Sequence, residues 1–280
     1  MNAGAETRLG FVGAGRMGLP MVRRLLAAGH RVRVAARSAA AREALAREGA
    51  HPVDGVREAG PAAAAVLVCV FSDDQVREVC LGGELVERMP PGSVLVVHTT
   101  CGPRTIEDVA ARAAPRGVEV VDAPVSGGPH DIEAGRVTLF AGGADDAVAR
   151  VRPVLRAYAD PVLHVGPAGS GQRVKLVNNA VFAAQIGLLS DAARLGTRLG
   201  LDEAVLMEAL THGSAASRAL SGVAARGSVA RFAQATGGFL GKDVEVVRTL
   251  AAELGGDLAA LDAAFGSLSG AAAVTTRCTR

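Results

Sequence analysis

Three glycines near the start of the chain, Gly13, Gly15 and Gly18, have the spacing of a phosphate-binding loop. They follow a short apolar run, residues 9–12, and precede an amphipathic run, residues 21–28. In the pattern G-x-G-x-x-G the first glycine permits a tight strand-to-helix turn, the second lets a pyrophosphate approach the backbone, and the third lets the helix pack on the strand. Amides at the start of the helix then face the phosphates. The pattern predicts a dinucleotide site, and a tight turn without a ligand is the alternative.

The second predicted strand, residues 31–35, indicates which dinucleotide is bound. In such folds an acidic residue at the end of this strand binds the ribose 2′-hydroxyl of NAD. Here the strand is followed by Ala36, Arg37 and Ser38, so the acid is missing. Because a guanidinium can pair with a 2′-phosphate that a carboxylate would repel, the sequence favours NADP(H) over NAD(H). Two alternatives stay open: Arg37 is a solvated loop charge, and Arg42 is either a second contact or an exposed helix residue.

Lys175 and Asn179 are candidates for proton transfer, since their spacing puts both on one face of a helix. A lysine that is partly removed from water beside a cationic nicotinamide has its pKa lowered towards neutrality. Its amine can then accept a hydroxyl proton during oxidation or donate one during reduction. Asn179 offers both a donor and an acceptor. Taken alone, Lys175 fits a surface charge better than a catalytic role.

Ser126, Gly127 and Gly128 form a donor-rich segment after a predicted strand. Such a segment lies at the carboxyl edge of a parallel sheet, where ligands bind. The hydroxyl and the two amides are suited to a carboxylate, and a plain glycine turn is the alternative. Lys242 and Asp243, at a predicted helix start, are typical of an ordinary N-terminal charge pattern.

Two kinds of pattern along the chain predict the elements that position these residues. Up to about residue 165, short apolar runs alternate with helical patterns, which predicts a parallel, doubly wound sheet. The predicted strands are residues 9–12, 31–35, 66–71, 94–98, 119–123, 138–142 and 161–165, and the predicted helices are residues 15–28, 39–48, 73–81, 105–113 and 145–157. Beyond residues 166–171 only helical patterns follow, over residues 172–199, 202–210 with Asp202 as N-cap, 215–225, 241–254 and 257–270.

The expected fold class is therefore α/β, with an N-terminal Rossmann domain over residues 1–166 and an all-α domain over residues 167–280. Hydrophobic residues make up 49% of the chain, the net charge is +2, and there is one Tyr and no Trp, which argues against nucleic-acid binding. No apolar run is long enough to span a membrane, and no signal peptide is visible. The four cysteines lack metal or redox spacing. We expect a cytoplasmic protein without metal, nucleic-acid or membrane partners.

Four motifs, in this order, resemble the β-hydroxyacid dehydrogenase family. That family includes 3-hydroxyisobutyrate dehydrogenase, tartronate semialdehyde reductase, and the glyoxylate and succinic semialdehyde reductases. The motifs are G-x-G-x-M-G at residues 13–18, D-x-P-V-S-G-G at residues 122–128, G-x-G-x-x-x-K-x-x-N-N at residues 169–179 and K-D at residues 242–243. The resemblance covers nearly the whole chain.

The resemblance implies NADP(H)-dependent interconversion of a β-hydroxyacid and its semialdehyde or ketoacid, with Lys175 as general acid/base. It implies that Asn179 and the Ser126, Gly127 and Gly128 segment hold the substrate. Lys242 would lie near the nicotinamide, as would Thr100. The full set of expected coenzyme contacts is Gly13, Gly15, Arg16, Met17, Gly18, Arg37, Ser38, Phe71, Ser72, Thr100 and Lys242. By resemblance, the long helix would also pack across a partner subunit in a homodimer or homotetramer.

The chain departs from the family pattern at two places. Val97 stands where the family has Asp, and residues 129–136 replace a run of small residues. Within that run, His130, Asp131 and Arg136 either reshape the substrate pocket or face solvent. An NADPH-dependent imine reductase is therefore one alternative function, although those enzymes typically lack the lysine found here. A non-catalytic NADP(H)-binding protein is the other.

Overall fold

The structure, a computed structural model, describes residues 7–36, 38–253 and 255–266 of the chain. It consists of two compact units, Met1–Lys175 and Leu176–Arg280. The predicted coenzyme contact Arg37 and the last part of the helix predicted over residues 257–270 lie outside the described residues.

A mostly parallel sheet forms the centre of the first unit. Its strands are β1 (Arg8–Val12), β2 (Arg31–Ala35), β3 (His51–Val53), β4 (Ala65–Val68), β5 (Val94–Val97), β6 (Glu119–Asp122), β7 (Val125–Ser126), β8 (Val137–Gly142) and β9 (Ala159–Gly166). The strand order is β3-β2-β1-β4-β5-β6-β8-β7, and β9 pairs with β8. Because β1 pairs in parallel with both β2 and β4, the chain reverses its direction of winding at β1, and the carboxyl end of β1 is the expected ligand-binding crevice.

Helices cover both faces of this sheet. They are α1 (Gly18–Ala27), α2 (Ala39–Arg47), α3 (Asp73–Arg77), α4 (Leu85–Arg88), α5 (Pro103–Ala113), α6 (Pro129–Glu133) and α7 (Asp145–Leu155). Successive strand residues face opposite sides: Leu67 belongs to one buried cluster, whereas Val66 and Val68 belong to the other. Strands that are buried on both faces read as continuous apolar runs, which is why these segments were recognisable in the sequence.

In the described residues of the second unit, helices are the only regular elements, and turns and loops connect them. Its helices are α9 (Glu203–Thr211), α10 (Arg218–Ala224) and α11 (Val229–Glu253), together with residues 260–266 and most of α8 (Ser170–Arg198), which begins in the first unit. Met207, Leu220 and Phe232 are among the side chains that build its apolar core. Asp202 caps α9 as predicted, accepting a hydrogen bond of 3.0 Å from the Val205 amide.

Several element boundaries differ from the sequence prediction. The last long helix was predicted to begin at Gly241, but α11 begins at Val229. Glycine disfavours a helix, yet buried Phe232 and Ala233 pack the early turns into the core of the second unit, so the helix continues. In the sheet, β8 pairs antiparallel with β6 and β7, whereas the alternation of strands and helices predicted parallel strands only. The two-residue β7 and the short α6 explain the difference, because they return the chain without a full crossover helix.

Candidate active site

The structure constrains the three glycines after β1 in different ways. Gly13 has a φ of 97°, and a Cβ there would overlap the carbonyl oxygen of Cys69 at the end of the neighbouring strand. A Cβ at Gly18 would overlap the carbonyl oxygen of Gly13, so the start of α1 packs closely on the loop. A Cβ at Gly15, in contrast, would meet no atom of the described residues within 4 Å. The open side of the loop is therefore at Gly15, as a phosphate cradle requires.

No side chain blocks the start of α1 against an anion, although the Leu19 amide donates to the Gly15 carbonyl oxygen at 2.9 Å and Pro20 has no N–H. Among the described residues, no side chain caps this helix, and its first turn contains no acidic residue. By comparison, Ser38 caps α2 and Ser72 caps α3 through their hydroxyl groups. Uncapped amides together with the helix dipole favour a negative group at this end. Gly15 and Arg16 are exposed there, and Met17 is half-buried, so the predicted loop contacts fit a pyrophosphate.

Around the end of β2, the polar side chains of Ser38 and Arg42 form hydrogen bonds with other groups of the protein. The Ser38 hydroxyl accepts a hydrogen bond of 3.2 Å from the Ala41 amide. Arg42 donates to the Ala36 carbonyl oxygen at 3.2 Å and to Asp54 at 3.1 Å. Arg42 is therefore half-buried and braces the loop after β2, a role that neither interpretation of this residue included, and its contact with a 2′-phosphate stays a prediction. Contact of Ser38 with a 2′-phosphate stays a prediction.

The loop after β4 is tied to the end of β5 by a threonine that the sequence analysis overlooked. The Thr99 hydroxyl accepts a hydrogen bond from the Val70 amide at 3.0 Å and donates one to its carbonyl oxygen at 2.9 Å. The amide of Phe71 donates to the Gln75 side chain at 2.8 Å, while the Phe71 ring is 70% exposed. The loop is thus held by its backbone and presents an aromatic ring to solvent, and contact of Phe71 with a coenzyme stays a prediction. Thr100, the next residue after Thr99, is half-buried.

Asp122, at the end of β6, fastens the start of α8. The residue is completely buried, and its two carboxylate oxygens accept hydrogen bonds from the amides of Gly169, at 2.6 Å, and Gln172, at 2.7 Å. Burial raises the pKa of Asp122 to about 6, and the two amide hydrogen bonds oppose that rise. The sequence placed Asp122 at the head of the substrate motif, but the structure shows that it anchors a helix.

Gln172 extends this anchor to the neighbouring strand. Its side chain accepts a hydrogen bond of 3.0 Å from the Cys101 amide and donates one of 2.9 Å to the Thr99 carbonyl oxygen. The first turn of α8 is therefore joined to the ends of both β5 and β6. Lys175 follows three residues later, so its backbone is attached to the carboxyl edge of the sheet at two points.

The Lys175 side chain is only 8% exposed, which argues against a role as a surface charge. Asn179, one turn later on α8, is also buried and accepts a hydrogen bond of 3.0 Å from Asn178. Its amide nitrogen donates to Asp243 at 2.5 Å, and Lys242 lies 3.7 Å from the other oxygen of Asp243. Asp243 is thus a buried partner that orients Asn179. The sequence analysis gave Asp243 no role of its own beyond a charge pattern and the K-D motif.

In the segment predicted to bind a carboxylate, the structure distinguishes between the three donors. Ser126 lies in β7, and Gly127 is exposed with a φ of 137°. The Gly128 amide already donates to Asp131 at 2.8 Å, so it is not available to a ligand in this arrangement. Ser126 and the Gly127 amide are the donors that stay in our prediction.

The structure shows how exposed the three residues of the unusual run at residues 129–136 are. Asp131 is 8% exposed and caps α6 through the Gly128 amide. The His130 side chain is 80% exposed, and Arg136 is exposed as well. Two of the three residues therefore face solvent, and the third stabilises a helix start.

A buried histidine that the sequence analysis did not consider lies behind the substrate segment. His98 contacts the Ala123 carbonyl oxygen through Nδ1 at 2.6 Å and the Tyr158 hydroxyl through Nε2 at 2.8 Å. Because a carbonyl oxygen only accepts, Nδ1 must carry the proton, and Tyr158 then donates to Nε2. Burial lowers the pKa of His98 to about 4. His98 is therefore a neutral brace with both nitrogens engaged and not a candidate general base.

Within the described part of the chain, no group of three or more His, Cys, Asp or Glu side chains is arranged to hold a metal ion. None of the helices described there combines the length and the apolarity needed to cross a membrane.

Comparison with known proteins agrees with the three features described above, which are the glycine loop after β1, the hydrogen bonds that anchor α8 and the buried Lys175. The family model for the NAD-binding domain of 6-phosphogluconate dehydrogenase matches residues 8–166, and that for the NAD-binding domain of NADP-dependent 3-hydroxyisobutyrate dehydrogenase matches residues 169–277. The chain belongs to the β-hydroxyacid dehydrogenase family. It is a nicotinamide-coenzyme-dependent hydroxyacid dehydrogenase, with a Rossmann domain followed by a helical one, as the sequence predicted.

Individual relatives of this dehydrogenase agree with that assignment. The chain is 35% identical to 3-hydroxyisobutyrate dehydrogenase from Pseudomonas aeruginosa, over 77% of this chain and 72% of the relative. It is 32% identical to an NAD-dependent L-serine dehydrogenase from the same organism, over 76% and 72% of the two chains. The solved structure of 3-hydroxyisobutyrate dehydrogenase from Mycobacterium tuberculosis with L-serine has a TM-score of 0.84 at 27% identity, covering 96% of this chain and 94% of that one.

Proposed function

We propose that this dehydrogenase uses NADP(H) to interconvert a β-hydroxyacid and its semialdehyde or ketoacid, with Lys175 as the general acid/base. The observation that carries the proposal is the buried Lys175 on a helix whose first turn is bound by Asp122 and Gln172 to the ends of two sheet strands. The anchor holds the backbone that carries the amine at a fixed position, as general acid/base catalysis requires.

The residues at the end of β1 fit the coenzyme. The open side of the loop at Gly15 and the uncapped start of α1 would hold its pyrophosphate. Arg16, Met17, Phe71, Ser72 and Thr100 follow β1, β4 and β5 and would complete the contacts, while Lys242 is expected from the resemblance alone. When bound, the coenzyme supplies the hydride acceptor or donor.

Each of the protein groups in the proposed site acts on one part of the substrate. Lys175 accepts the proton of the substrate hydroxyl during oxidation and returns it during reduction. Asn179, held by Asp243, orients that hydroxyl, and Ser126 with the Gly127 amide binds the carboxylate. Relatives are named for 3-hydroxyisobutyrate and L-serine, both short acids with a hydroxyl group on the carbon next to the α-carbon, which supports this substrate class.

A test of the Lys175 assignment compares Lys175→Ala with the wild type. General acid/base catalysis contributes roughly 100-fold or more, so kcat should fall by at least that factor while coenzyme affinity changes little. Turnover is followed by NADPH oxidation with a panel of semialdehydes, ketoacids and cyclic imines, and coenzyme binding by calorimetry. Arg173→Ala, on the same turn of α8 but exposed, is the matched control.

The same panel tests the alternatives. Reduction of cyclic imines alone would identify an imine reductase, and binding of NADPH without turnover of any substrate would identify a non-catalytic protein. Full activity of Lys175→Ala would show that another group carries the proton. Since His130 and Arg136 face solvent and Asp131 caps α6, the run that suggested an imine reductase no longer favours it.

The proposed preference for NADP(H) depends on Arg37. A charge-assisted contact to the 2′-phosphate contributes about 1.5–3 kcal/mol, so Arg37→Ala should weaken NADPH binding roughly tenfold or more and leave NADH binding nearly unchanged. Both affinities are measured by calorimetry. Arg47→Ala, at the far end of α2, removes the same charge as a control. Equal losses for the two coenzymes would contradict the proposal.

A further inference from the structure

Two residues, Ala123 and Pro124, link β6 to the segment that we propose binds the substrate carboxylate. β6 ends directly before them, and the strand that follows, β7, consists only of Val125 and Ser126. β7 pairs with β8 through these two residues, and a pairing this short is marginally stable by itself. The position of Ser126 therefore depends on how the link before it is held.

Both backbone groups of Ala123 are bonded at the end of β5. Its amide donates a hydrogen bond of 2.8 Å to the Val97 carbonyl oxygen, which continues the sheet. Its carbonyl oxygen accepts a hydrogen bond of 2.6 Å from Nδ1 of the His98 side chain. Because Pro124 has no N–H, this oxygen is the only hydrogen-bonding group of the peptide unit that joins Ala123 to Pro124. The His98 ring therefore fixes the orientation of that peptide unit, three residues before Ser126.

A tyrosine holds the His98 ring in turn. The Tyr158 hydroxyl donates to Nε2 at 2.8 Å, and the two rings meet edge to face with 5.7 Å between their centres. Both residues are buried, at 2% exposure for His98 and 0% for Tyr158, so water does not compete for these bonds. Burial raises the pKa of Tyr158 and lowers that of His98, so the hydroxyl stays a donor and the ring stays neutral. The ring thus keeps its proton on Nδ1, facing Ala123.

The backbone of His98 is bonded to the strand on the coenzyme side. Its amide donates at 2.8 Å to the carbonyl oxygen of Val68, at the end of β4. The next residue, Thr99, holds the loop after β4 through its hydroxyl. His98 therefore contacts the strand before the expected coenzyme loop through its backbone, and the link before the expected substrate segment through its side chain.

We propose that His98, oriented by Tyr158, is a positioning residue that places Ser126 and the Gly127 amide for the substrate carboxylate. This inference rests on the function proposed above for that segment. Groups that bind a substrate productively must be held within about 0.5 Å of the required geometry by the contacts of their neighbours. The bond from His98 to Ala123 is a contact of this kind.

Loss of the His98 ring should loosen the chain on one side of Ala123 only. The bond from the Ala123 amide to Val97 does not involve the ring and stays in place. Asp122, which precedes it, therefore keeps its position, and so does the anchor that carries Lys175. The effect should consequently appear in substrate binding rather than in proton transfer.

The kinetic test compares two substitutions of His98, with 3-hydroxyisobutyrate and L-serine as substrates and the coenzyme at saturation. His98→Leu removes the donor, so KM should rise about tenfold while kcat changes less than about threefold. His98→Asn carries its amide nitrogen on Cγ, as His98 carries Nδ1, and should return KM to within about threefold of the wild type. The matched control is His30→Leu, which changes a half-buried histidine at the opposite edge of the sheet and should leave KM unchanged.

Hydrogen exchange of the coenzyme-saturated dehydrogenase, followed by mass spectrometry, tests the positioning without turnover. The peptide covering residues 123–128 should exchange about tenfold faster in His98→Leu than in the wild type, whereas the peptide covering β4 should exchange at the same rate. In His98→Asn both peptides should follow the wild type. Tyr158→Phe removes the group that orients the ring and should accelerate exchange of residues 123–128 about threefold.

The outcomes decide between positioning and a purely structural role. Equal acceleration of both peptides, a fall in kcat at constant KM, or failure of His98→Asn to restore KM and exchange would overturn the proposal. Thermal unfolding shows whether each variant is folded, and if His98→Leu does not fold, unchanged exchange in Tyr158→Phe would overturn it. A wild type that oxidises neither acid would count against the proposed function, and the exchange comparison would still decide whether His98 positions the segment.

Discussion

Burial of Lys175 is the feature that the sequence could not reveal, and it bears directly on how this residue is interpreted. Taken alone, Lys175 fitted a surface charge better than a catalytic role. At 8% exposure, it needs a specific environment, because a buried ammonium group is costly unless it is solvated by partners. The neighbouring residues explain the position: Asp122 and Gln172 bind the first turn of its helix. The types of the site residues were therefore predictable, whereas their contacts depend on residues up to 73 positions apart in the chain.

The anchor at Asp122 leads to a prediction about catalysis. Asp122→Asn keeps the shape of the side chain but has one acceptor oxygen, so it can accept from only one of the Gly169 and Gln172 amides. The unfolding free energy should fall by about 1–3 kcal/mol, and kcat should fall roughly 100-fold if the Lys175 backbone shifts. Urea unfolding and steady-state kinetics measure the two effects. Asp146→Asn, at an exposed position of α7, is the control, and an unchanged kcat would show that the anchor is only structural.

His98 and Asp122 make opposite contributions to the pH dependence of stability. The pKa of His98 falls from 6.5 to about 4, so the unfolded chain binds the extra proton and stability is lost as the pH falls from 6.5 towards 4. The pKa of Asp122 rises from 3.8 to about 6, so the native state binds the extra proton and stability is lost as the pH rises from 3.8 to 6. In the wild type the two slopes partly cancel.

If one of these two groups is removed, the pH dependence of stability that comes from the other group should therefore become measurable. In His98→Gln, the unfolding free energy should decrease with rising pH more steeply between pH 4.5 and 6 than in the wild type, by up to about 1.4 kcal/mol per pH unit. Urea unfolding at a series of pH values measures the difference. His130→Gln, which changes a histidine that is 80% exposed, is the control and should follow the wild type. Parallel curves for His98→Gln and the wild type would mean that His98 is not held neutral.

At the level of elements, the segments that were predicted well are those with strong local patterns. β2 was predicted at its observed bounds, and the long helix predicted over residues 172–199 is observed as Ser170–Arg198. β3 and β7, of three and two residues, were not predicted, because their existence depends on pairing with β2 and β8 and not on their own composition. Tertiary packing likewise extends α11 through positions where glycine would favour a break.

One face of α8 is apolar and exposed in the single chain. Large side chains recur there at intervals of four and seven residues, which places them on one side of the helix. They are Val177, Val181, Leu188 and Leu195, followed by Leu199 directly after the end of the helix, with exposures between 40% and 68%. A contiguous apolar strip of this kind is typical of an interaction surface, and it lies on the helix that the family resemblance assigns to subunit contact.

At the level of the whole molecule, this strip predicts that the dehydrogenase is a homodimer or homotetramer in solution. The 28.3 kDa chain should elute with the mass of two or four copies in size-exclusion chromatography with light scattering. The double variant Leu188→Asp and Leu195→Asp places two charges in the apolar strip and should shift the protein to a monomer, because an unpaired charge buried at an interface costs several kcal/mol. The double variant Ala40→Asp and Ala44→Asp adds the same charge to the exposed side of α2 and should keep the wild-type mass. A monomeric wild type at micromolar concentration, or a Leu188→Asp and Leu195→Asp variant of unchanged mass, would show that α8 does not form the subunit interface.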